Sequence, residues 1–284
     1  MSVCLITDSA FDLPKEIEKE YGIEVMPMQV TLDGVTYFDR ENIDSGTVAR
    51  RMREGALTKT SLVDAERVGD CLERHAKAKD EVIYISFSSG LSGSYNYVRM
   101  CAEETKEKYP DFKITVIDSK CASLGEGLVV YLAAKDLANG AGYGELVKKI
   151  RYYCDNMEHI FTIDTFEYLY RGGRVSRTVK VVGGLLGIKP ILHVDEEGHL
   201  VPIEKTKGRK KAFERMVEIA GELCKNIGGS LVGINHFDDP AAAEELKAML
   251  SEKYGCSNFL VSEIGSAIGA HSGPGTVSIY FISD

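Results

Sequence analysis

The chain has no tryptophan, only seven prolines in 284 residues, and seven cysteines that never fall in a CxxC spacing. The cysteines, at positions 4, 71, 101, 121, 154, 224 and 256, are odd in number and scattered. That excludes a disulfide framework and gives no zinc-finger ligand pattern, so they read as thiols of a reducing compartment. No run of about 20 apolar residues occurs, and no membrane-spanning helix is expected. The start, "MSVCLITDSA", enters a strand directly without a basic segment or an apolar signal region, which makes a cytoplasmic location the expectation. Positive charge is not in excess either. A formal net charge of −9 argues against nucleic acid as a partner, because phosphate contacts need clustered Lys and Arg. There is no GxxxxGK[ST] loop and no GxGxxG after a strand, so ATP and NAD lack their usual cradles. "GGLLGIKP" is glycine-rich but runs into Pro190 and a strand.

At roughly 100 to 200 residues per domain the length favours two domains. "VCLIT" (3–7), "VIYIS" (82–86) and "ITVID" (114–118) are continuous apolar runs, as strands buried on both faces require. Between them, "PKEIEKEY", "AERVGDCLERHAK" and "SYNYVRMCAEETKEKY" space apolar residues at three and four. Strand and helix alternate, as in an α/β domain with a mostly parallel sheet flanked by helices. "LDGVTY" (32–37) departs from this, since Asp33-Gly34 between β-rich residues predicts a hairpin. The character changes after "GELVKKIRYYCDNM", which divides the chain into α/β domains 1–155 and 156–284. The second holds "HIFTID", two strands joined at "DEEGHL", and the strands "SLVGI", "SNFLVSEI" and "TVSIYFI".

Ligands of open α/β sheets sit beyond the carboxyl ends of the strands, and there this sequence gathers hydroxyls. "TDSAFD", "TKTSL", "SFSSGLSGSYN" and "DSKCASLGEG" offer hydroxyl donors and helix N-termini that favour an anion. In "SSGLSGSYN", Gly90 and Gly93 allow close backbone approach. Ser92 falls near a helix start, where its hydroxyl caps the helix or holds a ligand. Asp8 and Asp118 read as helix caps rather than metal ligands, with no DxD or His partner beside them. The basic segment "EKTKGRKKAFER" (204–215) is either a solvated helix face or a docking surface for an acidic partner. His75, His159, His193, His199 and His236 have no motif around them and read as structural or solvent-facing. His271, in "IGAHSGPG", lies between small residues. With Ser92 and an aspartate it would make a hydrolase or phosphotransfer site, although G-L-S-G-S lacks the second glycine of a nucleophile elbow. The residues by themselves stop at an anion-binding α/β protein, with the serine-dependent enzyme as the alternative.

Six segments, "TDSAFDLP" (7–14), Thr60-Ser61, "SSGLSGSYN" (88–96), "EYLYRGGRVS" (167–176), "LLGIKPIL" (185–192) and "IGAHSGPG" (268–275), resemble the DegV family in order and spacing. That resemblance implies two α/β domains with a ligand tunnel between them, holding one long-chain fatty acid such as palmitate, stearate or oleate. It implies a carrier without catalysis or cofactor of its own, similar to the fatty-acid-binding subunit of bacterial fatty acid kinase. A separate ATP-dependent kinase subunit would phosphorylate the bound carboxylate for phospholipid synthesis, which leaves room for transient membrane contact. By the same resemblance the carboxylate falls to Thr60, Ser92 and His271, with Ser61, Gly93 and Arg171 in support and Lys207 and Arg209 toward the partner. Two departures stand out. The chain lacks the Gln and Pro that often follow Thr-Ser, and it carries Lys207 where the family usually has Arg, a change that forfeits bidentate contacts.

Overall fold

The computed structural model describes residues 2–175 and 187–283. Strands β1 (Val3–Asp8) and β2 (Glu24–Met26) flank α1 (Lys15–Tyr21); then come β3 (Met28–Leu32), β4 (Val35–Phe38), α2 (Ser45–Arg53), β5 (Thr58–Val63) and α3 (Ala65–Ala78). They are followed by β6 (Glu81–Ser86), α4 (Ser94–Lys108), β7 (Lys113–Asp118), α5 (Leu124–Ala138) and α6 (Tyr143–Asp155). The remainder comprises β8 (Met157–Thr162), α7 (Glu167–Arg171), β9 (Ile188–Val194), β10 (Leu200–Lys207), α8 (Arg209–Leu223), β11 (Val232–His236), α9 (Pro240–Tyr254), β12 (Phe259–Glu263), α10 (Ser266–Ser272) and β13 (Val277–Ile282). None of the described helices is long and apolar enough to cross a membrane.

The continuous apolar runs form a parallel sheet in the order β2-β1-β6-β7. Its central strands are covered on both faces: Ile83, Tyr84 and Ile85 are fully buried. The predicted hairpin is present. Asp33 and Gly34 both take positive φ (51° and 83°), the backbone of a two-residue turn whose twist suits paired strands. β3 also pairs with β5 on its other side, closing a small antiparallel sheet, β4-β3-β5. Where the sequence departs from Thr-Ser-Gln-Pro, the chain simply continues as strand β5. Val30 faces Thr60 and Gln29 faces Ser61, so register fixes Thr60 without help from a proline.

A second, six-stranded sheet runs β10-β9-β8-β13-β11-β12, antiparallel except for the β11–β12 pair. Between the two sheets lies α5. Its sequence, LGEGLVVYLAAKDLA, is apolar nearly all round, the signature of a helix covered on every side. It packs with Leu5, Ile83, Ile85 and Ile117 of one sheet and with Leu260 and Tyr280 of the other. Gly125 and Gly127 make this approach feasible, since a Cβ would meet the His159 imidazole at 2.2 Å in the first case and the Phe11 carbonyl at 2.2 Å in the second. Further contacts tie the halves together. The Ser88 hydroxyl donates to the Gly198 carbonyl (2.8 Å), Lys120 Nζ to the Glu196 carbonyl (2.7 Å), and Thr58 Oγ1 to the Ala270 carbonyl (3.0 Å).

Candidate functional site

A narrow pocket opens between the sheets at the carboxyl ends of the parallel strands. Its empty space is about 740 Å³, including its solvent-facing mouth, yet the centre of a water-sized sphere reaches only about 80 Å³ of it. Such a space has the bore of a slender chain rather than of a bulky ring system. Met28, Phe87, Leu91, Phe161, Leu169 and Ile264 are among its apolar walls. Thr276, just before β13, and Ser278 and Tyr280 within it line the pocket at a spacing of two, and on β8 Phe161 and His159 stand opposite Ser278 and Tyr280. From Thr276 to Tyr280 the floor therefore extends roughly 14 Å at about 3.4 Å per residue.

Polar groups converge at the Thr276 end, where α10 ends beside β5. Thr60 Oγ1 lies 2.7 Å from His271 Nε2. The imidazole rests on Gly172, where a Cβ would come within 2.1 Å of Nδ1, so the first glycine of R-G-G-R is there to make room. Ser92 Oγ is 3.0 Å from Ser94 Oγ and accepts the Ser94 N–H at the start of α4 (3.2 Å). Gly93 lies against Leu62 of β5, which brings this turn up to Thr60. Arg174 donates through Nε to the Leu91 carbonyl (3.1 Å) and through Nη1 to the Gly172 carbonyl (2.5 Å), and it lines the pocket as well. Among the described residues no carboxylate pairs with Arg174. The Ser272 hydroxyl, buried in the wall next to His271, has no hydrogen-bond partner there either.

The electrostatics suit an anion. Burial, helped by the nearby Arg174 charge, pushes the His271 pKa down to about 4, so the imidazole is neutral at pH 7. Burial also lowers Arg174 from its ordinary value, though an arginine stays charged. Among the described residues the polar end thus holds the Arg174 cation without a counter-charge, the hydroxyls of Thr60, Ser92, Ser272 and Thr276, and a neutral imidazole. A ligand carboxylate would supply the missing charge and the acceptors those groups need. His271 Nε2 faces Thr60, while Ser92 faces Ser94, so Ser92 and His271 are not hydrogen-bonded to each other.

A sequence model of the DegV family, described as uncharacterised, matches residues 2–284. A DegV domain-containing protein of Clostridium perfringens is 37% identical over 284 residues, covering 99% of this chain and 97% of the relative. The chain belongs to the DegV family. Among solved structures, a DegV-family protein from Thermus thermophilus described for its fatty acid binding superposes with a TM-score of 0.90 at 29% identity, covering 100% of both chains. DegV of Bacillus subtilis, described as a fatty acid binding protein, gives 0.87 at 28% identity, again with 100% of both chains.

Of the residues that the DegV resemblance singles out, the structure brings Thr60, Ser92 and His271 to one pocket. Ser61 sits next to Thr60 in β5, opposite Gln29, and Gly93 precedes α4. Arg171 lies outside the pocket wall. It pairs with Glu167 one helical turn back and sits over the Tyr168 ring. The arginine on the pocket is the second of the motif, Arg174, which the sequence reading passed over because both arginines of R-G-G-R look alike in one dimension. His159, read from sequence as structural or solvent-facing, lies on the pocket as well. It is buried in the wall, accepts the Ala122 N–H through Nε2 (3.2 Å), and meets the Tyr280 ring edge-on at 5.4 Å. Lys207 is exposed at the end of β10. Arg209 is engaged: it pairs with Asp239 (2.5 Å) and Asp164 (3.2 Å) and donates to the Gly275 carbonyl (3.1 Å), bracing the loop after His271. Asp118 differs from its expected capping role, because it holds the Ser89 backbone and hydroxyl across the sheet edge. Ser176, Leu185 and Leu186 of the matched segments lie outside the described residues.

Proposed function

We propose that this chain binds one long-chain fatty acid, its acyl chain in the pocket and its carboxylate among Thr60, Ser92, His271 and Arg174. The observation that carries this reading is the pairing of a slender apolar channel with one polar end that holds an unpaired cation. Burying a methylene contributes roughly 0.8 kcal/mol. A 16-carbon tail therefore supplies on the order of 10 kcal/mol before the costs of association, and the head group contributes roughly 1.5 to 3 kcal/mol for each charged hydrogen bond. The fatty acid binding described for the Thermus thermophilus and Bacillus subtilis relatives supports the same reading.

The bound acid is then a substrate held for another protein. In this proposal a separate ATP-dependent kinase subunit phosphorylates the carboxylate, Lys207 lies on the docking face, and the chain performs no chemistry itself. Hydroxyl donors leave the carboxylate oxygens more nucleophilic than a bidentate clamp would, which favours attack on a phosphoryl group. The test is to incubate the loaded protein with ATP, with and without a candidate fatty acid kinase subunit. Acyl phosphate is expected only when both proteins are present; formation by the loaded protein alone would overturn the carrier reading.

A further inference from the structure

At the amino ends of the parallel strands, outside the pocket lining, α3 and β2 bring together a nitrogen, a sulfur and an oxygen donor. Cys71 and His75 are four residues apart on α3, which places both side chains on one face of the helix. Glu24, the first residue of β2, reaches between them. The Cys71 thiol donates to Glu24 Oε1 (3.1 Å), and Glu24 Oε2 is 3.0 Å from His75 Nε2. One ligand atom from each of the three lies within 4.8 Å of the others. Cys71 and His75 are each only 5% exposed, whereas Glu24 keeps about a third of its side chain in solvent and leaves a path in.

We propose that Glu24, Cys71 and His75 form a zinc site. Zinc takes Cys sulfur at about 2.3 Å and His nitrogen or carboxylate oxygen at about 2.0 to 2.2 Å, in a tetrahedron whose corners stand roughly 3.3 to 3.8 Å apart. Here one donor atom from each residue lies within 4.8 Å of the others, with Glu24 touching Cys71 through one oxygen and His75 through the other, so a shift of about 1 Å would draw the three to the corners of the tetrahedron and a water would complete it. His75 is oriented as zinc-bound histidines are, because its other nitrogen, Nδ1, is 3.0 Å from Asp80 Oδ2, and Asp80 is held in turn by the Ser2 hydroxyl (2.7 Å). Coordination forms a Zn–S and a Zn–N bond, and the protons that Cys71 Sγ and His75 Nε2 point at Glu24 are released to solvent. The charges of Zn²⁺, the thiolate and the Glu24 carboxylate then cancel, while Arg74 still pairs with Glu24 from outside. The ion would fasten the three-residue edge strand β2 to α3. A search for CxxC misses such a site, because its cysteine and histidine are spaced by a helical turn.

The competing arrangement is His75 bridging Glu24 and Asp80 by hydrogen bonds with no metal. Titrating the EDTA-treated full-length protein with Zn²⁺, and separately with Co²⁺, distinguishes the two. One zinc per chain is expected, together with a higher thermal midpoint and a sulfur-to-cobalt charge-transfer band. Cys71→Ser should abolish that band, and Glu24→Gln, at a partly exposed position that tolerates the change, should weaken zinc binding by at least tenfold. Absence of saturable zinc binding by the parent chain would overturn the proposal, as would zinc affinity unchanged in Glu24→Gln.

Discussion

Asp12 gives a pH dependence of stability that the structure quantifies. It is 1% exposed; its Oδ1 accepts the Gly265 N–H (2.9 Å), and its Oδ2 meets the Ser123 hydroxyl (2.5 Å), which the Asn235 amide also approaches (2.7 Å). Burial, with Asp39 nearby, raises its pKa from 3.8 to about 8. The folded chain therefore keeps a proton that the unfolded chain has released, and the associated stability, complete below 3.8, is lost as pH rises toward 8. Each pH step in that window costs about 1.4 kcal/mol. Asp8, raised to about 6, adds to the decline only up to that value, while His159 and His271, lowered to about 4, act in the opposite sense below 6.5. Above pH 6.5 these three are quiet. Glu126 and Asp39 are raised as well and slope the same way, so the comparison between two chains isolates Asp12. Asp12→Asn is uncharged at every pH and can still donate toward Ser123 and accept from Gly265. Urea midpoints of both chains at pH 6.5 and 8 should show the parent losing about 2 kcal/mol more than the variant across that interval. Equal losses would mean that Asp12 is ionised in the folded protein, and the reasoning would fail.

Other perturbations address the pocket. Thr60→Val keeps the β-branched shape of the strand but removes a donor, and displacement of a fluorescent fatty acid should report affinity roughly 10- to 150-fold weaker, with Thr60→Ser close to the parent. Gly172→Ala would place a methyl 2.1 Å from His271 Nδ1; fatty acid affinity should fall as far as in His271→Ala while circular dichroism stays native, and unchanged affinity would refute the contact. Arg174→Gln removes the unpaired charge, so it should weaken a fatty acid by at least tenfold yet leave a fatty alcohol of equal length little changed. Loading the delipidated chain with fatty acid should raise its thermal midpoint, by about 2.7 kcal/mol of stability at a free concentration 100-fold above Kd.

Much of the fold is legible because one physical signal dominates each element. The strands around Ile6 and Ile83 are central and buried on both faces and so read as apolar runs, the run around Ile117 lies at the sheet edge and is only partly covered, and Asp33-Gly34 supplies the positive φ that its turn demands. α5 is not among the elements legible in the sequence: its first residues read as part of the polar segment "DSKCASLGEG", and the structure shows LGEGLVVYLAAKDLA as one helix packed between the sheets. The site is legible in its members but not in its geometry. Thr60, Ser92 and His271 are 32 and 179 residues apart in succession, and only the packing of α10 against β5 unites them. Nothing in R-G-G-R says that Arg174 turns to the pocket while Arg171 turns to Glu167. That choice follows from the short α7 ending at Gly172, which yields to the His271 ring. His159 was read as structural, and in its hydrogen bonds it is; its place in the pocket wall comes from the β8–β13 register, which no local pattern encodes.

The central claim is tested most directly by native mass spectrometry of the purified chain, followed by denaturing extraction and lipid analysis. The expected result is one non-covalent long-chain fatty acid per protein, released on denaturation, with occupancy that falls in Thr60→Val and Arg174→Gln. A chain that is empty and cannot be loaded with any fatty acid would contradict the account, and the unpaired Arg174 at the end of its apolar channel would then belong to some other anion.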